Sequence, residues 1–232
     1  MLVLIPIAIL LVQASAQAPT PIPGGKSGSG TTTRYWDCCK PSCAWVENLP
    51  SGYTKAVETC SADGVSVVNA SVKSSCDGGA AYVCNDQQPF AVSSTLAYGF
   101  AAASFTGGAD VNLCCACFLL TFQDQIQGKQ MVLQVTNTGG DLGQNQFDIA
   151  LPGGGVGIFT QGCQSQWNTP SNGWGSQYGG VGSKSECSQL PQELQAGCEF
   201  RFDFFQNADN PKVQFQQVEC PSEILSRSNC SP

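Results

Sequence analysis

The sequence predicts a mainly β domain, a barrel or a sandwich, with long disulfide-linked loops and a few short helices. Several segments that are rich in branched or aromatic residues alternate apolar and polar positions with a period of two, which is typical of strands with one buried face. An even count of 14 cysteines indicates a framework of up to seven disulfides. The five predicted strands are 118–122, 130–136, 147–151, 200–205 and 213–218.

Helical patterns are weaker than the strand patterns. Residues 93–103, a segment after Cys187 and another after Pro221 each predict a short helix. Residues 17–30 are a tract of Pro, Gly and Ser with little to bury, so they predict a flexible lead-in. Residues 31–232 contain all 14 cysteines without a second linker, and we expect them to fold as one domain.

The first residues predict export from the cell. An apolar run from Leu2 to Val12 is followed by Ala14-Ser15-Ala16, the small-x-small pattern that signal peptidase cleaves, so residues 1–16 are predicted to be a signal peptide. The run has about half the length of a membrane span. We therefore expect a secreted, extracellular chain that has no membrane association after cleavage. An oxidising compartment favours disulfides over zinc at the paired cysteines near positions 38 and 114.

Composition narrows the chemistry that the chain can perform. The 232 residues contain no His, which excludes Ser/His/Asp and Cys/His nucleophile systems and His-based metal sites. Acid and base catalysis is left mainly to the 17 Asp and Glu residues. The net charge of −7 argues against a nucleic-acid partner, because phosphate binding depends on basic side chains. A neutral substrate fits this composition better.

Three aspartates stand in informative surroundings. Asp37 lies beside two aromatic residues and just before Cys38 and Cys39, so it is held in place next to surfaces on which sugar rings stack. Asp141 lies between glycines after a predicted strand, where the backbone can approach a ligand. Asp148 lies within a predicted strand and alternation turns it away from its apolar neighbours. The structural alternatives are a cysteine-rich turn, a turn-capping residue and an exposed strand residue, respectively.

Several motifs resemble one known family. Residues 32–45, Thr-Thr-Arg-Tyr-Trp-Asp-Cys-Cys-Lys-Pro-Ser-Cys-Ala-Trp, closely resemble the signature of glycoside hydrolase family 45, secreted endo-β-1,4-glucanases. The resemblance covers about residues 31 to 230. Further matches occur in the same order at Gly-Gly-Asp-Leu-Gly 139–143, Phe-Asp 147–148, Pro-Gly-Gly-Gly-Val-Gly-Ile-Phe 152–159 and Asn-Ala-Asp-Asn-Pro 207–211.

The resemblance implies a six-stranded double-psi β-barrel that cuts cellulose chains internally by an inverting mechanism. It implies that Asp37 is the general base, that Asp148 is the general acid, and that Asp141 supports them from a mobile loop. The partner would be a β-glucan polysaccharide bound by a monomer, with neither cofactor nor metal. Positions matching the sugar-binding groove are Thr33, Tyr35 and Trp45, and the implied disulfides are Cys38–Cys163, Cys39–Cys76, Cys43–Cys114, Cys60–Cys84, Cys115–Cys230, Cys117–Cys220 and Cys187–Cys198.

One departure from the family concerns the acid. Many relatives place His two residues before it, where this chain has Gln146. From the residues alone we expect burial to raise the proton affinity of Asp148, and Arg34 and Lys40 to keep Asp37 charged. Asn69-Ala70-Ser71 is a possible glycosylation sequon, whereas Asn229 precedes a cysteine expected to be bridged.

Two alternatives to an endoglucanase remain at this point. Expansin-like and barwin-like proteins resemble the barrel and bind or loosen wall polysaccharides without hydrolysis. Expansins keep a counterpart of the acid and lack the base, so Asp37 within its full motif favours the enzyme. A disulfide-rich defence or structural protein would explain the cysteines but not the three acidic motifs.

Overall fold

The computed structural model describes residues 19–231, which form ten β-strands and three α-helices joined by long loops. The predicted signal peptide, residues 1–16, lies outside the described residues. Within the described part of the chain, no helix is both long and apolar enough to cross a membrane. The strands are β1 Ser27–Tyr35, β2 Thr59–Cys60, β3 Val67–Val68, β4 Tyr82–Val83, β5 Phe90–Ala91, β6 Leu96–Ser104, β7 Cys117–Phe122, β8 Gln130–Asn137, β9 Gln146–Ala150 and β10 Lys212–Val218. The helices are α1 Gln161–Trp167, α2 Gln192–Asp203 and α3 Ser222–Ser228, and 3-10 turns span Ser42–Ala44, Val46–Asn48, Ser75–Asp77, Val111–Leu113, Asp124–Ile126 and Lys184–Gln189.

Six of the strands close into a barrel. The order around it is β6-β8-β7-β10-β1-β9, and β9 pairs with β6 to complete the ring. The pairs β1–β9 and β6–β8 are parallel and the other four are antiparallel. Strand β5 extends the sheet beside β6, and β3-β2-β4 form a separate small sheet. The prediction of a mainly β protein built on a six-stranded double-psi barrel is therefore confirmed.

Aromatic side chains fill the inside of the barrel. Phe105, Phe118, Phe147 and Phe215 contact one another with ring centroids between 4.9 and 6.1 Å apart, mostly edge to face, the geometry that aromatic pairs prefer. All four are buried. A second core lies on the outside of the barrel, where strand residues pack against the helices and disulfide loops. Burial on both faces explains why β6 is apolar along almost its whole length, whereas β8 also buries the polar residues Gln134 and Thr136.

Most of the predicted elements occur where they are expected. Predicted strands 118–122, 130–136, 147–151 and 213–218 correspond to β7, β8, β9 and β10 within one residue at each end. The helix predicted after Pro221 is α3, and the helix predicted after Cys187 is α2. Each of these segments combines a clear local pattern with flanking turn or proline residues, so local preference and tertiary packing agree.

The strand predicted at 200–205 is wrong. Residues up to Asp203 belong to α2, and a turn follows. The alternation of Phe with polar residues suggested a strand, but burial follows helical spacing, since Leu194, Gly197, Cys198 and Arg201 all face the interior. These positions are separated by three, one and three residues, the pattern of one helix face.

The helix predicted at 93–103 is also wrong. Strand β6 covers Leu96–Ser104, whose Ala-rich composition favours a helix in isolation. Eight consecutive residues of this strand are buried between β8, β9 and the outer core. Small side chains fit there because neighbouring strands and loops approach closely, so packing overrides propensity.

The boundary of the flexible lead-in at residue 30 is incorrect. Strand β1 begins at Ser27, within the tract interpreted as a linker, and pairs with β10 over five residues. Upstream of β1, Ile22 N–H donates to Gln217 O at 3.0 Å. The glycines serve packing here, since an added Cβ at Gly28 would lie 3.3 Å from the Phe215 ring. Composition indicated flexibility because the partner strand, β10, is far away in sequence.

Seven disulfides link the loops, and they include all 14 cysteines of the described chain. Their pairing is the same as the set implied by the family resemblance. Adjacent cysteines have different partners, as expected: Cys38 bonds to α1, whereas Cys39 bonds to the turn at 75–77. Two cysteines that are adjacent in sequence therefore join one point on the chain to two separate segments.

Candidate active site

The parallel pairing of β1 with β9 brings two of the predicted site residues together. Thr33 on β1 lies opposite Asp148 on β9. The Thr33 hydroxyl donates a hydrogen bond to Asp148 Oδ1 at 2.6 Å. Phe147 and Ile149, the neighbours of Asp148, point into the barrel, so alternation turns Asp148 to the outer face. The predicted orientation of Asp148 is confirmed.

Asp148 opens onto a cleft of about 380 Å³. Strand β1 forms its floor, and the loops after β8, β9, α1 and α2 form its walls. The lining is mixed, with carboxylates, amides, glycine backbone and aromatic rings, which suits a neutral polyhydroxylated ligand. Its residues are Thr33, Arg34, Tyr35, Asp141, Leu142, Gln146, Asp148, Gly154, Gly155, Gly157, Gln177, Tyr178, Gly179, Asp209 and Asn210.

The surroundings of Asp148 favour its protonated form. Burial is the largest cause and raises the pKa of Asp148 to about 7. The hydrogen bond from Thr33 opposes this rise, while the negative charges of Asp141 and Asp37 add to it. A carboxyl group with this pKa retains a proton near neutral pH and can donate it. This agrees with the expectation from the sequence that burial raises the proton affinity of Asp148.

Asp37 follows β1 and is held by the cysteine-rich turn. Its Oδ1 accepts the Cys39 N–H at 2.9 Å, and its backbone carbonyl accepts the Cys163 N–H at 3.1 Å. The side chain is 7% exposed and lines a small cavity of about 10 Å³, which is space for about one water molecule. Burial raises the pKa of Asp37 to about 6, and the Cys39 N–H opposes the rise.

Neither Arg34 nor Lys40 keeps Asp37 charged, so that expectation is wrong. Arg34 Nη1 pairs with Asp209 Oδ1 at 2.7 Å. The Lys40 ammonium donates to the carbonyls of Ala70 and Val72. Both cations point away from Asp37 because strand alternation and the turn at Cys38 direct them to other loops. Sequence proximity did not predict spatial pairing here.

Tyr35 contacts both environments. It lines the cleft that contains Asp148 and the small cavity that contains Asp37. Its hydroxyl accepts a hydrogen bond from Asn137 Nδ2 at 3.0 Å. Burial, followed by the charge of Asp37, raises the pKa of Tyr35 well above its usual value. The Tyr35 hydroxyl therefore stays neutral, and the residue lies between the cleft of Asp148 and the cavity of Asp37.

Asp141 lies in the exposed loop between β8 and β9, and lines the same cleft. The loop is fastened near this residue, since Leu142 O accepts the Gly108 N–H at 2.8 Å. Gly143 N–H donates to Gln146 Oε1 at 2.7 Å. The charge of Asp141 acts on Asp148 through space, so all three predicted aspartates belong to one electrostatic group.

The aromatic residues that line the cleft are not the full set that was predicted. Among the described residues, Trp45 is not part of the cleft lining. Its ring instead makes a cation–π contact with the Lys40 ammonium, which lies 3.2 Å from the ring centroid. Tyr178 was missed from the sequence, yet it lines the cleft and is 68% exposed. No sequence pattern pointed to Tyr178, whose loop is held by contacts from distant residues, since Arg34 Nε and Arg201 Nη1 both donate to the Gly179 carbonyl.

A cleft that contains Asp148 and an exposed aromatic rim, with Asp37 in a small cavity on the other side of Tyr35, has the parts that a glycoside hydrolase needs. The sequence profile described as glycosyl hydrolase family 45 matches residues 29–231. The chain belongs to this family.

Similar proteins cover nearly the whole chain. An endoglucanase of Phaedon cochleariae is 61% identical over 211 residues, which are 91% of this chain and 87% of that protein. An endoglucanase of Cryptopygus antarcticus is 55% identical over 208 residues, which are 89% of this chain and 91% of that protein. The crystal structure of a cellulase from that springtail matches with a TM-score of 0.83 and 55% identity, covering 88% of this chain and 97% of that one.

Proposed function

We propose that this chain is a secreted endo-β-1,4-glucanase that inverts the anomeric carbon, with Asp148 as the general acid and Asp37 as the general base. The observation that carries the proposal is the pair of buried carboxyl groups whose surroundings give Asp148 the higher pKa. At a pH between the two pKa values, the group with the higher pKa keeps its proton and can donate it, while the other is ionised and can accept one. Relatives named endoglucanase support the choice of substrate class.

The first step is proton donation by Asp148. The Thr33 hydroxyl occupies Oδ1, which leaves Oδ2 to carry the proton toward the glycosidic oxygen. As that proton is transferred, the bond between the anomeric carbon and the leaving oxygen breaks, and the sugar ring gains positive charge. The charges of Asp37 and Asp141 stabilise this developing charge, because the cleft is partly shielded from water.

The second role is water activation by Asp37. The ionised carboxylate takes a proton from a water molecule as the water oxygen attacks the anomeric carbon from the opposite face. A separation of about 6.5–9.5 Å between the two carboxyl groups would leave space for that water. The product formed first from a β-linked glucan is then the α-anomer.

Substrate binding rests on stacking and on hydrogen bonds. Tyr178 and Tyr35 offer aromatic surfaces to the apolar faces of glucose rings, and Thr33 and the glycine backbone offer polar contacts. Trp45 lies outside the lining of the cleft and would bind a more distant sugar ring. The enzyme acts as a monomer on a β-glucan, and the mechanism requires neither metal nor cofactor.

The test combines stereochemistry with three substitutions. Proton NMR of fresh product from a soluble β-glucan should show the α-anomer first. Asp148→Asn and Asp37→Asn should each lower kcat by about 10²- to 10⁴-fold while oligosaccharide binding persists. Asp141→Asn should lower the rate without changing the anomer. Asp77→Asn, in an exposed turn outside the cleft, is the matched control and should behave as the wild type.

Two outcomes would reject the proposal. Initial release of the β-anomer would contradict inversion, and near-full activity of Asp37→Asn or Asp148→Asn would contradict the assigned roles. An expansin-like protein would bind cellulose but leave carboxymethylcellulose unchanged. Falling viscosity together with new reducing ends would instead support internal cleavage.

A further inference from the structure

A chain of three hydrogen bonds connects the loop after β8 to Asp148. Gly143 N–H donates to Gln146 Oε1 at 2.7 Å, and Gln146 Nε2 donates to Thr33 Oγ1 at 2.9 Å. Thr33 Oγ1 then donates to Asp148 Oδ1 at 2.6 Å. Gly143 lies two residues after Asp141, so the chain joins the loop that carries one aspartate to the side chain of another.

Chemistry fixes the direction of both bonds made by Gln146, and of the bond from Thr33 when Asp148 is ionised. A backbone N–H can only donate, so the Gln146 atom that faces Gly143 is the oxygen. The nitrogen of the same amide therefore faces Thr33, whose oxygen accepts from it. The single proton of the Thr33 hydroxyl is then free for Asp148, and it goes to Oδ1.

We propose that Gln146 is a positioning residue that orients the Thr33 hydroxyl toward Asp148 and fastens the Asp141 loop beside it. The inference rests on the proposed role of Asp148 as the acid. An amide is suited to this task because it has one donor end and one acceptor end and does not titrate. The direction of the two hydrogen bonds made by Gln146 is consequently the same at every pH at which the fold persists.

Charged groups around Asp148 come from several elements, and none replaces the amide. Strand β6 places Ala102 opposite Asp148, so it brings no charge there. Arg34 is paired with Asp209, and its positive charge lowers the Asp148 pKa only as the last of the causes. The titratable groups that line the cleft with Asp148 are Arg34 and Tyr35 on β1, Asp141 after β8, Tyr178 after α1, and Asp209 before β10. Asp37 lies in the small cavity beyond Tyr35 and acts on Asp148 through its charge.

The first experiment replaces the amide by a carboxylate. In Gln146→Glu, both oxygens of the new side chain accept, so the Thr33 proton turns to residue 146 and Asp148 loses its donor. Asp148 also gains a like charge nearby. Both changes act in the same direction, and the Asp148 pKa should rise by about one unit. Carbon-13 NMR of labelled Asp carboxyl groups measures this directly, and Asp148→Asn identifies the signal.

Gln144→Glu is the matched control for charge. Gln144 lies in the same loop and is exposed, and it lines the adjacent surface groove rather than the cleft. The same charge there should shift the Asp148 titration by less than a third of the shift caused by Gln146→Glu. Equal shifts in the two variants would show that charge alone is responsible, and the proposal would be overturned.

Three further variants test the two parts of the proposal separately. Gln146→Met removes the acceptor for Gly143 N–H, so exchange of that amide with solvent should accelerate about fivefold, the equivalent of one ordinary hydrogen bond. Thr33→Val should leave the Gly143 amide protected and raise the Asp148 pKa, whereas Thr33→Ser should restore the wild-type titration. Unchanged Gly143 exchange in Gln146→Met would contradict the fastening of the loop.

These readouts need no substrate, so their failure is distinct from failure of the proposed function. If Asp148→Asn kept wild-type hydrolysis, the acid would be misassigned even with the hydrogen-bond chain intact. If Asp148→Asn were inactive but the titration and exchange results were negative, Asp148 would remain the acid and Gln146 would have no positioning role.

Discussion

Asp37 and Asp148 have the same kind of side chain, so the difference between their proposed roles must come from their surroundings. Burial raises both pKa values, to about 6 and about 7 respectively. Asp37 receives a backbone N–H from Cys39, whereas Asp148 receives a hydroxyl and also experiences two neighbouring negative charges. Charge repulsion from the other aspartates therefore helps to make Asp148 the last of the pair to lose its proton.

We expect a narrow, bell-shaped pH dependence of kcat/KM with its maximum between about pH 6 and pH 7. Activity should fall below the lower value because Asp37 becomes protonated, and above the higher value because Asp148 loses its proton. The two limbs belong to the interacting pair rather than to separate residues. Initial rates on a soluble β-glucan across pH 4–9 would measure the profile, and a maximum below pH 5 would contradict it.

The same pKa values predict an effect of pH on stability. A carboxyl whose pKa is higher in the folded state than in the unfolded state destabilises the fold as pH rises from about 4 through its folded value. Asp148→Asn should therefore raise the free energy of unfolding at pH 8, by the order of 2–4 kcal/mol, and have little effect at pH 3.5. Denaturant titrations at both pH values would test this, and equal effects at the two would contradict it.

At the scale of elements, the parallel β1–β9 pair assembles the site. It aligns Thr33 with Asp148, and the same strand leads directly into Asp37. Strand β1 also pairs with β10, so its position depends on two neighbours that follow it by more than 100 residues. The glycines in β1 permit this, because Asn145 O approaches Gly30 closely from the start of β9.

Gly30→Ala should destabilise the fold more than Gly28→Ala. An added Cβ at Gly30 would lie 2.5 Å from the Asn145 carbonyl oxygen, a backbone atom that cannot move alone. At Gly28 it would meet the Phe215 ring at 3.3 Å. We expect a loss of about 1–3 kcal/mol for Gly30→Ala and less for Gly28→Ala, measured by thermal unfolding. A larger loss for Gly28→Ala would show that packing on Phe215 is the tighter constraint.

At the scale of the whole molecule, the disulfides stabilise both the outer loops and the site. Cys38–Cys163 closes a loop of 125 residues and lies next to Asp37, whose carbonyl accepts the Cys163 N–H. Cys60–Cys84 closes only 24 residues and holds the small β3-β2-β4 sheet. Both kinds of bridge restrict the unfolded chain, and the first also positions Asp37, the proposed base.

Removal of these two bridges should have different consequences. Replacing Cys60 and Cys84 by Ser should lower the free energy of unfolding by about 2–5 kcal/mol and leave kcat close to the wild type at low temperature. Replacing Cys38 and Cys163 should lower both stability and kcat.

Strong reductant should lower the Tm well beyond the change seen in a cysteine-poor domain of this size. Equal Tm values with and without reductant would contradict a stabilising role for the bridges.

The sequence by itself determined the β class, the cysteine framework, four barrel strands and the outward orientation of Asp148. These features depend on local periodicity and on residue chemistry, which a sequence displays directly. The motifs at 32–45 and 139–148 also identified the three aspartates through their resemblance to one family. The comparisons confirm that family, while the roles of the aspartates stay predictions.

The tertiary structure decided the features that depend on distant neighbours. Strand β1 formed from a linker-like tract because β10 and β9 supply its hydrogen bonds, and β6 formed from an Ala-rich segment because both faces are buried. Arg34 and Lys40 turned away from Asp37, and burial rather than a nearby cation set its pKa. Tyr178 and the Gln146 hydrogen bonds became visible only in three dimensions, since desolvation and hydrogen-bond direction depend on segments far apart in the sequence.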